Sequence, residues 1–100
     1  MSLTVWFTDE AKADALQAVT WYDEQKDKLG SVFIQQLSGT IETIQTQPTA
    51  FKKIYQNCRQ ATIKKFPYIV IYKILDKSII VYAIFHTSLN PTKKAKRLKK

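Results

Sequence analysis

The spacing of apolar positions changes half-way along the chain. Residues 3–7 (Leu3, Thr4, Val5, Trp6, Phe7) alternate enough for a short strand. Thr8 then reads as an N-cap, with Asp9 and Glu10 placed favourably at the positive end of a helix. Ala11, Ala15, Ala18, Val19 and Tyr22 recur at helical spacing, and Gly30 is expected to stop that helix. Ser31 is expected to cap a second helix that buries Phe33, Leu37, Ile41 and Ile44. Gly39 inside it suggests close approach of the neighbouring helix, and Pro48 follows its end. A connection as short as 29–31 implies an antiparallel helical hairpin.

Beyond Pro48 the period shortens. Stretches 52–55, 59–65, 68–75 and 78–86 are predicted strands, the last two rich in β-branched and aromatic residues. Asp76 and Lys77 form the expected hairpin turn, and Phe66, Pro67 and Tyr68 a bend where proline sits outside the ladder. Simple alternation in the last strand puts Ile79, Val81, Ala83 and Phe85 on one face and Ile80, Tyr82, Ile84 and His86 on the other. Both faces therefore need cover: one from the helical hairpin, the other from a C-terminal segment or a partner. The order β-α-α-β-β-β-β is that of an α+β domain with one small twisted, mainly antiparallel sheet. Asn90 and Pro91 read as the start of a short basic C-terminal helix or arm, with Leu89 and Leu98 docked and the last lysines solvated.

At 100 residues with 45% hydrophobic content, the chain is expected to form a single domain over 1–100 with one buried core, 90–100 being its basic C-terminal segment. Cys58 is the lone cysteine, which excludes an internal disulfide framework and a cysteine-rich zinc site. Thr8, Asp9 and Glu10 interrupt the N-terminal apolar run, so no signal peptide is expected there, and no apolar stretch is long enough to span a bilayer. The expected compartment is the cytoplasm, and no metal or cofactor is expected. Charge is uneven. Residues 1–50 carry three lysines against seven acids, and residues 51–100 carry thirteen Lys or Arg against Asp76 alone, for a net +8 overall. Such asymmetry points to an acidic or anionic partner for the second half.

The ordered set Ala18, Trp21, Tyr22; Gly30, Phe33; Ile41, Ile44, Pro48; Arg59, Phe66, Pro67, Tyr68, Ile71, Tyr72; Ile79, Val81, Ala83, His86 resembles the RelE/ParE superfamily of bacterial type II toxin–antitoxin toxins, often called plasmid stabilisation proteins. The resemblance runs from the first helix to Pro91. It implies a helical hairpin on a small twisted sheet, a cognate acidic antitoxin in a toxin–antitoxin hetero-oligomer, and no membrane. It leaves two chemistries. RelE-like members cut messenger RNA on the ribosome without a metal, which requires a base, an acid and cations around the phosphorane. ParE-like members bind DNA gyrase.

For RNA cleavage the candidates are Lys52, Lys53, Tyr55, Arg59, Lys64, Lys65 and His86. Arg59 matches the family's arginine ahead of the Phe-Pro-Tyr bend; it suits a bidentate phosphate clamp, or equally a structural salt bridge or antitoxin contact. The paired lysines suit phosphates, or else protect strand edges from aggregation. His86 is the residue type suited to proton transfer, but a lone histidine ending a core strand is more often structural. Many superfamily members place an arginine three residues after this histidine. Here that position is Leu89, which cannot bind a phosphate, so Arg97 or a neighbouring lysine would have to substitute. The resemblance therefore favours the ParE-like branch, with a protein target such as gyrase and no catalysis. The alternatives are a RelE-like ribonuclease or a decayed copy that only binds antitoxin. Residues expected at the target or antitoxin interface are Arg59, Lys64, Tyr82, His86, Leu89, Lys93, Lys94 and Arg97.

Overall fold

The computed structural model describes residues 3–88. Strand β1 (Thr4–Phe7) leads into helices α1 (Asp9–Gln25) and α2 (Leu29–Thr46). Four strands come after them: β2 (Lys52–Lys53), β3 (Arg59–Thr62), β4 (Tyr68–Leu75) and β5 (Ser78–His86). They form one five-stranded sheet of order β1-β5-β4-β3-β2, antiparallel except for the parallel β1–β5 pair. This is the expected α+β layout. Leu89, Lys93, Lys94 and Arg97, and the expected C-terminal helix or arm, lie outside the described residues. None of the described helices is long and apolar enough to cross a membrane.

Thr8 caps α1 as its position predicts, its Oγ1 accepting from the Ala11 amide at 3.1 Å. The hairpin connection is displaced from where the sequence placed it. Helix α1 ends before Lys26, and α2 starts after Lys28, which takes a left-handed conformation with φ 67°. Gly30 and Ser31 are therefore in the first turn of α2, not a stop and a cap. The cap comes from across the hairpin: the Asp23 carboxylate accepts from the Gly30 amide at 2.7 Å. A Cβ at Gly30 would fall 2.7 Å from that same oxygen, so glycine is what allows the approach. Gly39 differs again. Nothing lies within 4 Å of its would-be Cβ, so no helix packs there.

The hairpin covers one face of the sheet. Ala11, Ala18, Tyr22, Phe33, Leu37 and Ile44 pack onto Ala61, Val70, Tyr72, Ile79, Val81 and Ile84. An aromatic cluster joins the hairpin to the Phe66–Tyr68 bend, with Phe33 5.1 Å from Phe66 and 5.2 Å from Tyr68 between ring centroids. Burial pushes the Tyr22 and Tyr68 hydroxyls above the ordinary tyrosine range, Tyr68 adding to the effect on Tyr22. Strand β3 stops at Thr62, short of the expected 65, because Lys65 turns left-handed with φ 70°. Tyr55 lies in a short 3-10 turn rather than a strand.

Strand β5 departs from simple alternation. Tyr72 pairs with Val81 and Ile71 with Ala83, leaving Tyr82 as an extra residue: a β-bulge. The bulge reverses the parity of the residues beyond it. Ile79, Val81 and Ile84 face the hairpin, whereas Ala83 and Phe85 join Cys58, Ile69 and Ile71 in a second cluster on the opposite face. Helix α1 runs beside the bulge and bonds it: Thr8 Oγ1 donates to the Tyr82 carbonyl at 3.4 Å, and Asp14 Oδ2 accepts from the Ile84 amide at 3.0 Å.

Candidate functional site

The cations named from the sequence are divided between the two faces. Arg59 shares the hairpin face with Ala61, while its neighbour Gln60, and Lys52 paired with it, point to the opposite side. The Arg59 guanidinium is engaged locally. Its Nη1 donates to the carbonyls of Phe51 at 2.7 Å and Thr49 at 3.2 Å, and the neighbouring Tyr72 hydroxyl donates to Pro48 at 2.7 Å. Together they hold the segment between α2 and β2 by three backbone carbonyls. Burial raises the Tyr72 hydroxyl above its usual range, with Arg59 pulling the other way. Arg59 thus has a backbone-anchoring role that needs no phosphate.

His86 lies far from it. Arg59 pairs with Tyr72 and His86 with Tyr68, four residues apart on β4. At strand spacing that is about 13 Å along the sheet and roughly 10 Å across it. His86 Nδ1 accepts from the Ser88 amide at 3.0 Å and lies 2.7 Å from Ser88 Oγ, while its ring stands edge-on to Tyr68 at 5.2 Å. Lys64 and Lys65 are exposed on the turn after β3, and Lys52 and Lys53 on the short edge strand β2. Among the described residues, Arg59, the paired lysines and His86 are therefore not gathered at one point. A groove of about 380 Å³ between α2 and β3, lined by Gly39, Thr40, Thr43, Phe51, Thr62 and Lys64, contains no carboxylate or imidazole. Among the described residues no group of three or more His, Cys, Asp or Glu could hold a metal ion.

The second sheet face has a different character. Its cluster of Cys58, Ile69, Ile71, Ala83 and Phe85 is buried, with Ile54 and Tyr82 packed against it. Burial raises the Cys58 thiol above its ordinary range, Lys73 pulling it down. The Lys73 ammonium lies 5.8 Å from the centroid of the Tyr82 ring.

Residues 5–91 match the family model described as ParE toxin of type II toxin–antitoxin system, parDE. The chain belongs to the ParE toxin family. Solved structures share this ParE-type fold. One, from a chromosomal ParDE toxin–antitoxin system of P. aeruginosa, superposes with a TM-score of 0.75 at 16% identity, covering 85% of this chain and 96% of that one. Another, a doubly arginine-substituted RelE toxin of E. coli in the free state, gives 0.63 at 18% identity over 99% and 97% of the two chains. No curated protein matches significantly.

The ParE-type frame also exposes residues that the sequence pattern did not single out. Trp6 stands outward from β1 because Val5 and Phe7 on either side of it turn into the hairpin core. Lys73 is the one charge in the run 68–75, and its neighbours at 72 and 74 face the hairpin. A lone lysine in an otherwise apolar strand, and a tryptophan between two core residues, were the available signals.

Proposed function

We propose that this ParE-family protein is the toxin of a type II toxin–antitoxin pair, arresting growth by binding a protein target such as DNA gyrase and neutralised by a cognate acidic antitoxin. The family match over residues 5–91 carries the reading. The geometry supports the non-catalytic branch over RNA cleavage, because Arg59 is bonded to backbone carbonyls and His86 stands at the other end of β4. The P. aeruginosa relative comes from a ParDE system, which supports an antitoxin as partner. Nothing in the proposed action requires a general base. The toxin needs only a surface that fits its target and a surface the antitoxin can cover. In this reading Arg59, Tyr82 and His86 act through shape and charge, and the net +8 favours capture by an acidic antitoxin.

The test is to assay purified protein on two substrates. Gyrase supercoiling of relaxed plasmid is expected to fall while messenger RNA in a translation extract stays intact. Codon-positioned RNA cuts with normal supercoiling would instead establish the ribonuclease. Normal growth on induction without antitoxin would establish a decayed copy.

A further inference from the structure

The two edges of the sheet are built differently. Strand β2 is two residues long and both are lysines, a pair that protects an edge from further pairing. Strand β1 at the other edge has neither charge nor proline, and its Trp6 is 59% exposed. The ladder determines which backbone groups that edge offers. Thr4 donates to the Lys77 carbonyl at 3.4 Å and Thr8 to the Val81 carbonyl at 3.1 Å, so with period two the Trp6 backbone also faces β5. Val5 and Phe7 then direct their N–H and C=O groups away from the sheet, where among the described residues β1 has no second neighbour. Their side chains turn into the hairpin core, whereas Trp6 stands on the opposite face in one row with Ile80 and Lys73. Both ends of the edge are closed. Gln45 Nε2 donates to the Leu3 carbonyl at 2.9 Å, and Thr8 begins α1 as its cap.

We propose that β1 pairs antiparallel with β1 of a second copy of this chain, about a two-fold axis beside Trp6, giving a reversible dimer with one sheet running through both; this is independent of the toxin function proposed for the chain. The chemistry of the edge fixes the register. Placing Val5 opposite Phe7 of the second copy, and Phe7 opposite its Val5, lets each pair exchange both backbone hydrogen bonds. Val5 opposite Val5 would need the Leu3 carbonyl that Gln45 already holds, and Phe7 opposite Phe7 would run into α1. In the register that remains, Trp6 meets Trp6 as a non-hydrogen-bonded pair with Cα atoms about 4.5 Å apart. That is the closest side-chain contact a sheet offers, and aromatic pairs favour it. A two-fold contact requires one self-complementary patch, and the donors, acceptors and tryptophan of this edge match under that rotation. Charge selects the same occupant. Residues 3–7 offer no cation to an acidic segment and none to a phosphate. The lysines of β2 lie four strand spacings away, about 19 Å, where salt screens their repulsion. Contact through four-residue strands is small, so the dimer is a weak one.

Sedimentation of the full chain over a concentration series reads the equilibrium, and disulfide trapping reads the register. Wild type is expected to dimerise reversibly, and Trp6→Lys, which sets like charges opposite each other, to weaken the dimer Kd by at least about 10-fold. Trp6→Cys is expected to form an intermolecular disulfide under mild oxidation, because Cα atoms about 4.5 Å apart are within disulfide reach. Thr4→Cys is expected not to, since Thr4 of the two copies would lie about 13 Å apart. Cys58 is buried, so wild type serves as the blank. Trapping does not need a tight dimer, and it decides the matter should Trp6→Lys fail to fold. A wild-type monomer at every concentration with no trapped Trp6→Cys dimer overturns the proposal. So does a dimer that Trp6→Lys leaves intact, or trapping at Thr4→Cys in place of Trp6→Cys. If amide exchange shows Val5 and Phe7 protected only when the small acidic protein encoded beside the gene is added, that partner occupies the edge and the proposal is likewise overturned.

Discussion

At Gly30 two effects of one methyl group compete. Adding it raises helix propensity in the first turn of α2, but it displaces the Asp23 carboxylate that caps the Gly30 amide. Asp23→Ala alone is expected to destabilise by about 1 kcal/mol. Gly30→Ala is expected to be close to neutral in the wild type and stabilising in the Asp23→Ala background, so a urea-denaturation double-mutant cycle should show clear non-additivity. Additive effects would mean that Asp23 does not cap α2. Arg59 gives a second residue-scale prediction. Arg59→Ala removes the donor to the Phe51 and Thr49 carbonyls and is expected to lower stability by about 1–2 kcal/mol. If Arg59 served phosphate chemistry alone, its loss would abolish activity without moving the thermal midpoint. The family's recurrent arginine is thus legible in the sequence as a position, while the atoms it serves are set by how the chain folds back after α2.

At the scale of elements, the period dictates the order of helices and strands, but neither their exact ends nor the bulge. β5 is apolar on both of its faces from Ile79 to Phe85, so nothing local marks Tyr82 as the extra one. It is defined by pairing with β4, where Tyr72 meets Val81 and Ile71 meets Ala83. The contacts from α1 hold that pairing in place. Thr8 both caps the helix and donates to the Tyr82 carbonyl, and Asp14 takes the Ile84 amide. Asp14→Ala is expected to destabilise by about 1–2 kcal/mol by leaving a half-buried amide without that acceptor. Amide exchange at Ile84 should then accelerate more than at Val70 in the centre of β4. Equal protection of both amides would show that the bulge does not depend on α1.

For the whole molecule, the buried tyrosines set the alkaline limit of stability. The hydroxyls of Tyr22, Tyr68 and Tyr72 are raised above their ordinary value of 10.0, so the unfolded chain ionises first as pH rises. Their contribution is complete below pH 10.0 and is lost above it as pH climbs through the folded values. The urea midpoint is expected to fall beyond that point, and Tyr72→Phe, which also loses the bond to Pro48, to fall less steeply there from a lower starting stability. Cys58, buried and raised above 9.0, is expected to resist iodoacetamide until the protein unfolds. By itself the sequence determined the element order, the cap at Thr8, the turn at Asp76 and Lys77, the uneven charge and the family resemblance, because each rests on spacing along the chain. The tertiary structure alone decided which face each residue of β5 meets, that Asp23 rather than Ser31 caps α2, that Arg59 binds carbonyls, and that Trp6, Ile80 and Lys73 share one row. Those facts depend on register between segments distant in sequence, and local periodicity carries no information about it.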